Sequence, residues 1–249
     1  MILYKYVTFQ TLEIILSKHT LRLKNPTLFN DPFDCGATLH EEMGPDWSTK
    51  HRSAAITNAI KMNQHRNMCG VLCLTRNPLN ILMWAHYCSD HTGAVIGIDV
   101  GIAGLEDESQ FIINAKNGSV IYTSVRPSAL DIEIPPKIDS KTDRSILEKM
   151  YLQKSTHWAY EEEVRVVKVI NPNFTVLASL TEGKSHEDIS IPPRAIKEIY
   201  FGYRHNHDSL NTETAKKTST SDKKSANPHI KFNRCKLDGV TWDLKSTPE

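Results

Sequence analysis

The residues with the clearest chemical potential form one short stretch, WAYEEEVRVV at positions 158–167. A β-strand there places Glu161, Glu163 and Arg165 on one face and Glu162 on the other, because strand side chains alternate. Crowded carboxylates raise one another's pKa, and an arginine can hold one of them in a bidentate pair. The first face is therefore a candidate for acid–base or charge-stabilising chemistry. The alternative is a strand edge whose glutamates only reach water.

A second candidate is the motif FNDPFD, which starts at Phe29. Its proline restricts Asp31 to extended conformations, and its Asn and Asp residues favour turns, so the motif predicts a rigid loop. We expect Phe29 and Phe33 to pack into the core. The polar side chains Asn30, Asp31 and Asp34 remain candidates for lining a pocket.

The third candidate is LMWAHY, which lies on a helix predicted over 78–91 with Asn77 as its N-cap. Trp84, His86 and Tyr87 lie close together on such a helix. An aromatic stripe is usually part of a core, whereas the histidine can donate a hydrogen bond to a ligand or to a buried carbonyl. Neither a second histidine nor a carboxylate repeats at a ligand spacing, so the pattern does not predict a metal site.

Hydrophobic periodicity supplies the elements that must position these residues. Helices are predicted over 9–19, 53–66, 78–91 and 142–156, and the glutamate-rich stretch leads into one of several buried strands. Strands and helices follow one another without strict alternation, which favours an α+β fold. We predict a split, mixed β-sheet with flanking helices. A hairpin with Asp-Gly at its turn is predicted over 230–244.

Composition limits the class of protein. The 249 residues carry a net charge of +1, which gives no overall bias toward nucleic acid or an anionic membrane. No apolar run is long enough to span a bilayer, and no signal peptide is recognisable. The five irregularly spaced cysteines are interpreted as reduced core thiols of a cytoplasmic protein. We predict one domain, 1–249, with a flexible surface insertion around 208–228 that is rich in Thr, Ser and Lys.

The order of motifs resembles a widespread bacterial family known mainly as a domain of unknown function. The motifs that carry this resemblance are LYKY, FNDPFD, MWAHY followed by GAVIGID, HWAYEEEVRVV and IPPRAIKEIYFG. Together they run through most of the chain.

More distantly, the sequence is similar to the ADP-ribosyltransferase superfamily, especially the enzymes that modify DNA bases. LYKYVTFQTLEIIL corresponds to the opening strand and helix of those enzymes, and IPPRAIKEIYFG corresponds to a late proline segment and strand. The Glu-x-Glu within EEE places the catalytic glutamate of that superfamily at Glu163. Lys5 stands where a histidine or arginine commonly holds NAD.

The resemblance implies roles for the three charged residues of the strand. Glu163 would stabilise the positive charge that develops on the ribose of NAD, and Glu161 would orient or deprotonate the accepting nucleophile. Arg165 would fix this pair or meet a phosphate. We expect Glu163→Gln to keep the fold, since it retains size and hydrogen-bonding atoms. The implied NAD-binding residues are Lys5, Tyr6, Asn30, Asp34, Trp84, His86, Tyr87 and Tyr160.

Three functions stay open at this point. The first is an NAD-consuming ADP-ribosyltransferase-like enzyme, a toxin or anti-phage effector that acts on nucleic acid or protein. The second is a non-enzymatic module that senses a nucleotide or a phage component. The third is a metal-dependent nuclease with Asp31, Asp34, Glu161 and Glu163 as ligands, which requires these carboxylates to converge around a cation.

Overall fold

The computed structural model describes residues 1–36, 49–128, 133–139, 141–174, 183–205 and 227–249. The insertion predicted around 208–228 lies outside these ranges except for its last two positions. Among the described residues, none of the helices has both the length and the apolar character needed to cross a bilayer.

Eleven strands form in the described part of the chain. They are β1 (Ile2–Val7), β2 (Thr20–Lys24), β3 (Cys69–Thr75), β4 (Ala94–Asp99), β5 (Ile121–Thr123), β6 (Gln153–Ser155), β7 (Glu163–Val169), β8 (His186–Ser190), β9 (Ile196–Phe201), β10 (Lys231–Leu237) and β11 (Leu244–Pro248). Nine of them make one sheet in the order β11-β10-β9-β4-β1-β3-β2-β8, with β7 paired to β3 off this path. Strands β5 and β6 form a separate parallel pair.

Helices flank this sheet. They are α1 (Phe9–Lys18), α2 (Thr49–Met68), α3 (Ile81–Tyr87) and α4 (Arg144–Leu147), with a π-helical turn at Glu148–Leu152 and 3₁₀ turns at Pro26–Leu28, Thr156–Glu161 and Pro193–Ala195. Strands β9 and β10 pair in parallel, while their neighbours in the sheet pair antiparallel. The prediction of an α+β fold with a mixed sheet and flanking helices is therefore confirmed.

The large sheet is weakly paired between its neighbouring strands β1 and β3. Strand β1 pairs with β4 along its whole length but with β3 at one position, where Tyr4 lies opposite Thr75. Beyond that pair the Lys5 side chain spans the gap, and its Nζ donates to the carbonyl of Cys73 at 3.2 Å. The divergence of β1 from β3 leaves room for a cavity between them.

Helix α1 lies where its periodicity predicts it. The Thr8 side chain accepts from the N–H of Thr11 at its start, and His19 ends it with φ of 50° while donating its N–H to the carbonyl of Ile15. Helix α2 extends beyond the predicted 53–66 at both ends.

Helix α3 is shorter than the predicted 78–91 because a different asparagine caps it. The Asn80 side chain accepts from the N–H groups of Leu82 and Met83 and so starts the helix there. The Asn77 side chain instead accepts from the N–H of Leu79, in the turn before the helix.

The helix predicted over 142–156 is also wrong in its second half. Helix α4 and the π-helical turn end at Leu152, and β6 follows at once. The carbonyl of Tyr151 accepts from Nη1 of Arg165 at 2.7 Å, so it is directed to another part of the chain and the helix stops. The break brings Lys154 toward the carboxylates described below.

The predicted hairpin forms between β10 and β11, with a longer connection than expected. Leu237 pairs with Leu244, so the connection has six residues, 238–243. The Asp238 carboxylate accepts from the N–H groups of Val240 and Thr241, which holds the wide turn.

Strand β7 is covered on both faces. Val164 and Val166 belong to the apolar cluster that contains residues of α1, whereas Val167 belongs to the cluster under α2 and α4. By strand alternation, Glu163 and Arg165 share the face of Val167. The predicted alternation over 163–166 is thus correct, and it directs two charges into a buried layer.

The backbone of Gly118 packs directly against the backbone of Arg165 in β7. The N–H of Arg165 donates to the carbonyl of Gly118 at 2.8 Å, and a Cβ added to Gly118 would lie 1.8 Å from the carbonyl oxygen of Arg165. No side chain fits there without moving the backbone that carries Arg165.

We predict that Gly118→Ala lowers the free energy of unfolding by roughly 3 kcal/mol, the upper range for overpacking. Gly239→Ala is the matched control, because a Cβ at Gly239 meets no atom within 4 Å. Urea unfolding of both variants measures the difference. Equal stability of the two would show that the backbone beside Arg165 is not constrained as described.

Candidate active site

The glutamate-rich stretch forms a tight turn followed by β7. Residues Thr156–Glu161 make the 3₁₀ turn, Glu162 has φ of 46°, and the strand begins at Glu163. The prediction that Glu161 lies within the strand is therefore wrong. Glu162, with its left-handed backbone, turns the chain so that Glu161 still lies beside Glu163 and Arg165. All three side chains are buried, Lys154 donates to both glutamates, and Arg165 donates to Glu163.

Five charged side chains converge at this point, each at most 9% exposed. We call them the buried ion cluster; they are Asp34, Lys154, Glu161, Glu163 and Arg165. The Lys154 Nζ donates to Glu161 Oε2 at 2.5 Å and to Glu163 Oε2 at 3.0 Å, and it lies 3.8 Å from Asp34 Oδ2. One ammonium group therefore contacts all three carboxylates.

Arg165 is the centre of the cluster and is 0% exposed. Its two Nη atoms each donate to an oxygen of Asp34 at 2.7 Å, while Nε and Nη2 donate to the two oxygens of Glu163 at 3.0 and 2.9 Å. With the carbonyl of Tyr151, these contacts use the five N–H donors of a guanidinium. Arg165 is therefore a positioning residue, with no donor left over for a substrate phosphate.

The electrostatic balance keeps the carboxylate of Glu163 charged. Burial alone would raise the pKa of Glu163, but Arg165 and Lys154 hold it at about 2. The two glutamates in turn raise the pKa of Lys154 against the effect of its burial. Near neutral pH, Glu163 is thus an anion that can stabilise positive charge and cannot serve as a proton donor.

The FNDPFD loop delivers Asp34 to this cluster. The Asp31 carboxylate accepts from the N–H of Phe33 at 2.9 Å, and the N–H of Asp34 donates to the carbonyl of Asp31. Phe29 packs against the apolar cluster under α2, as predicted. Phe33 was expected in the core but is 59% exposed, because the turn that directs Asp34 inward to Arg165 directs the neighbouring side chain outward.

Helix α3 contributes the tyrosine that completes the hydrogen bonding of Glu161. The Tyr87 hydroxyl donates to Glu161 Oε1 at 2.6 Å. Burial and this carboxylate raise the pKa of Tyr87, so the hydroxyl stays protonated and remains a donor. His86, its neighbour on the helix, is exposed.

A cavity of about 460 Å³ opens above these groups, at the divergence of β1 from β3. We call it the first cavity. Eight of the sequence-predicted residues line it: Lys5, Tyr6, Asn30, Asp34, His86, Tyr87, Glu161 and Glu163. Lys154, Lys24, Tyr4 and Phe29 line it as well. Burial lowers the pKa of Lys5, which lies half-buried in the wall.

Three predicted residues do not line the first cavity. Trp84 is 0% exposed, its indole N–H donates to the carbonyl of Pro78, and its ring packs edge-on against Tyr6, so it is a core residue and not a stacking surface. Tyr160 lines a different cavity. Arg165 lies wholly buried beneath the carboxylates.

The carboxylates predicted as nuclease ligands do not form a metal site. Asp31 is used in its own turn, and Lys154 and Arg165 occupy the space between Asp34 and the two glutamates. Within the described ranges, no group of three or more His, Cys, Asp or Glu side chains is arranged to hold a metal ion.

Sequence reasoning missed Lys154. It falls within the helix predicted over 142–156, where a lysine normally indicates a solvated face. The only sequence signal was indirect: three buried carboxylates require more than one cation, and Arg165 supplies one. The position of the second cation depends on the break after Leu152.

Comparison with known proteins gives one partial family match and no activity. A family model described as "Protein of unknown function (DUF2971)" matches residues 83–166, about a third of the chain. That segment begins within α3 and contains Lys154 and the three glutamates of the EEE sequence, and the match supports a relation to a family of unknown function. No curated protein and no solved structure shows a significant match.

We predict that Lys154→Met lowers the free energy of unfolding by about 3–5 kcal/mol, because it leaves buried carboxylates without their shared cation. Lys168→Met is the matched control: Lys168 lies on β7 and also pairs with a glutamate, Glu187 at 2.6 Å, but both side chains are over a quarter exposed. That loss should stay below about 1 kcal/mol. Denaturant unfolding at pH 7 distinguishes the two, and equal losses would contradict a stabilising role of the cluster.

The pH dependence of stability follows from Glu163. Its pKa of about 2 in the folded chain is below the ordinary value of 4.5, so its contribution is complete above about pH 4.5 and is lost as the pH falls toward 2. The pKa difference corresponds to about 3 kcal/mol. Glu163→Gln should flatten this part of the curve and the exposed Glu162→Gln should not, in unfolding measured from pH 2.5 to 7. An unchanged slope in Glu163→Gln would refute the low pKa.

Proposed function

We propose that the chain is an ADP-ribosyltransferase-like enzyme that binds NAD in the first cavity and cleaves the bond between nicotinamide and ribose. The observation that carries the proposal is the pair of carboxylates, Glu161 and Glu163, fixed at a cavity wall by buried cations. In this reaction the bond to ribose breaks with its electrons going to nicotinamide, and an acceptor nucleophile bonds to the ribose carbon and loses a proton.

The carboxylates suit a reaction in which positive charge develops on the substrate. Glu163 is held as an anion, and Lys154 and Arg165 fix it before any ligand arrives. A preorganised charge stabilises a cationic transition state without reorganising at the moment of reaction. We assign Glu163 this role and Glu161 the orientation and deprotonation of the acceptor.

The remaining groups of the first cavity fit the other parts of NAD. Lys5 and Lys24 supply positive charge for a pyrophosphate, and Tyr4, Phe29 and Tyr87 supply aromatic surface for planar rings. A volume of about 460 Å³ is within the usual range for a small-molecule site.

The strand arrangement supports the same proposal. The chain opens with a strand followed by a helix, the sheet parts beside that strand, and the proposed catalytic glutamate opens β7 on the other half. These features match the sequence resemblance to ADP-ribosyltransferases. We infer that the acceptor is nucleic acid or protein, and that the cellular role is that of a toxin or anti-phage effector.

Nicotinamide release from NAD is the direct test. Glu163→Gln should lose activity by about a hundredfold or more, because it removes the charge that the transition state needs. Glu162→Gln is the matched control: Glu162 is exposed and outside the cavity, so its activity should stay close to that of the wild type. The assay should include cell extract, which can supply an acceptor. Equal rates in the two variants would contradict the role of Glu163.

The stability of each variant must be measured with its activity. From the sequence Glu163→Gln was expected to keep the fold, whereas the contacts of Glu163 in the structure predict a loss of stability. The substitution keeps size, but it removes a partner of both Arg165 and Lys154 and is expected to destabilise the fold. Tyr87→Phe removes only a hydroxyl from Glu161, so it tests the site with no change of charge. We expect a loss of about tenfold with a small change in melting temperature. No NAD turnover by the wild type, with or without extract, would favour the non-enzymatic binding module.

A further inference from the structure

A second cavity, of about 560 Å³, borders the buried ion cluster at Asp34 and Lys154. Asp34 and Lys154 line both cavities, and the two are otherwise walled by different residues. The second cavity is built from the FNDPFD loop, the segment after β5, β6 and the 3₁₀ turn before β7. It is large enough for one nucleotide.

Phe33, Trp158 and Tyr160 line the second cavity, and the rings of Phe33 and Trp158 each have a cation over them. Phe33 is 59% exposed, and the guanidinium of Arg126 lies 4.8 Å from its ring centroid. Trp158 is half-buried, and the ammonium of Lys154 lies 5.1 Å from its ring centroid. Because the ring of Phe33 is exposed, it is not part of the core and is accessible to a ligand. The aromatic surface of Phe33 and Trp158 is therefore suited to stack a planar ligand.

The charged groups of this cavity favour an anionic ligand. Arg126 and His157 are exposed on its wall. The two acids are already used: Asp34 is held by Arg165, and Asp31 accepts from a backbone N–H in its turn. A ring bearing a negative group thus meets cations and aromatic faces together, the combination by which proteins hold a base and its phosphate.

We propose that the second cavity binds a nucleobase carrying a phosphate, with the base stacked at Trp158 and Phe33 and the phosphate at Arg126 and His157. The proposal does not depend on NAD cleavage in the first cavity. The same chemistry is present in a free nucleotide and in a single-stranded nucleic acid, so both are included in the test. A protein acceptor offers no base, and an acidic peptide therefore serves as the competing probe.

Calorimetric titration of the full chain tests the proposal with five probes: AMP, a short oligo(dA), the same oligonucleotide without bases, ribose 5-phosphate and an acidic peptide. We expect AMP or oligo(dA) to bind and the base-free probes to bind at least tenfold more weakly, because stacking supplies much of the affinity. Tighter binding of oligo(dA) than of AMP identifies a strand as the ligand, and equal binding identifies a free nucleotide.

Variants locate the binding. Trp158→Ala should weaken ligand binding about tenfold or more, because it removes a stacking surface. Phe33→Ala should weaken binding for the same reason, and it should leave the fold intact because that side chain is exposed. Arg126→Gln should reduce the salt dependence of binding. Trp242→Ala is the matched control, at a tryptophan 95% exposed on the β10–β11 connection, and should bind like the wild type. Melting curves check that each variant folds.

Several results would overturn the proposal. They are no binding of AMP or oligo(dA) by the wild type, equal binding of base-free probes, preference for the peptide, and full affinity in folded Phe33→Ala and Trp158→Ala. Binding that Tyr87→Phe weakens and Trp158→Ala retains would place the ligand in the first cavity and would also overturn it. Loss of base binding in Trp158→Ala, with or without NAD turnover in the wild type, supports it.

Discussion

The contact on which this structure depends is the buried guanidinium of Arg165 between two carboxylates. It donates to Asp34 through both Nη atoms and to Glu163 through Nε and Nη2, and it is 0% exposed. Charges taken out of water cost several kcal/mol each unless they are paired and fully hydrogen-bonded. The loop, the strand and the segment at Tyr151 must therefore meet in one geometry for the core to close.

This requirement explains features that look unrelated along the chain. The helix before β6 stops early because a carbonyl is committed to Arg165, and the early stop lets Lys154 reach the other carboxylates. Phe33 faces outward because the residue after it must face inward. Gly118 is needed where the backbone of Arg165 is approached most closely.

The same cluster relates the two cavities. Lys154 and Asp34 line both cavities, so a ligand in either cavity would lie beside these two residues. In the first cavity the cluster presents fixed anions, which suits the proposed stabilisation of a ribosyl cation. In the second cavity the exposed guanidinium of Arg126 suits a phosphate. The glutamates of the cluster thus line the first cavity, whereas Arg126, which is outside the cluster, gives the second cavity its exposed positive charge.

Local patterns in the sequence are enough to predict the capped helix α1, the buried face of β7 from Val164 to Val166, and the mixed α+β class. The polar residues within the apolar motifs were also correctly predicted to line one cavity, with the exceptions named above. Long-range contacts in the fold are what make Trp84 a core residue, expose Phe33 and bring Lys154 into the cluster. Those outcomes depend on which distant charge each segment must neutralise, and no short window of sequence contains both partners.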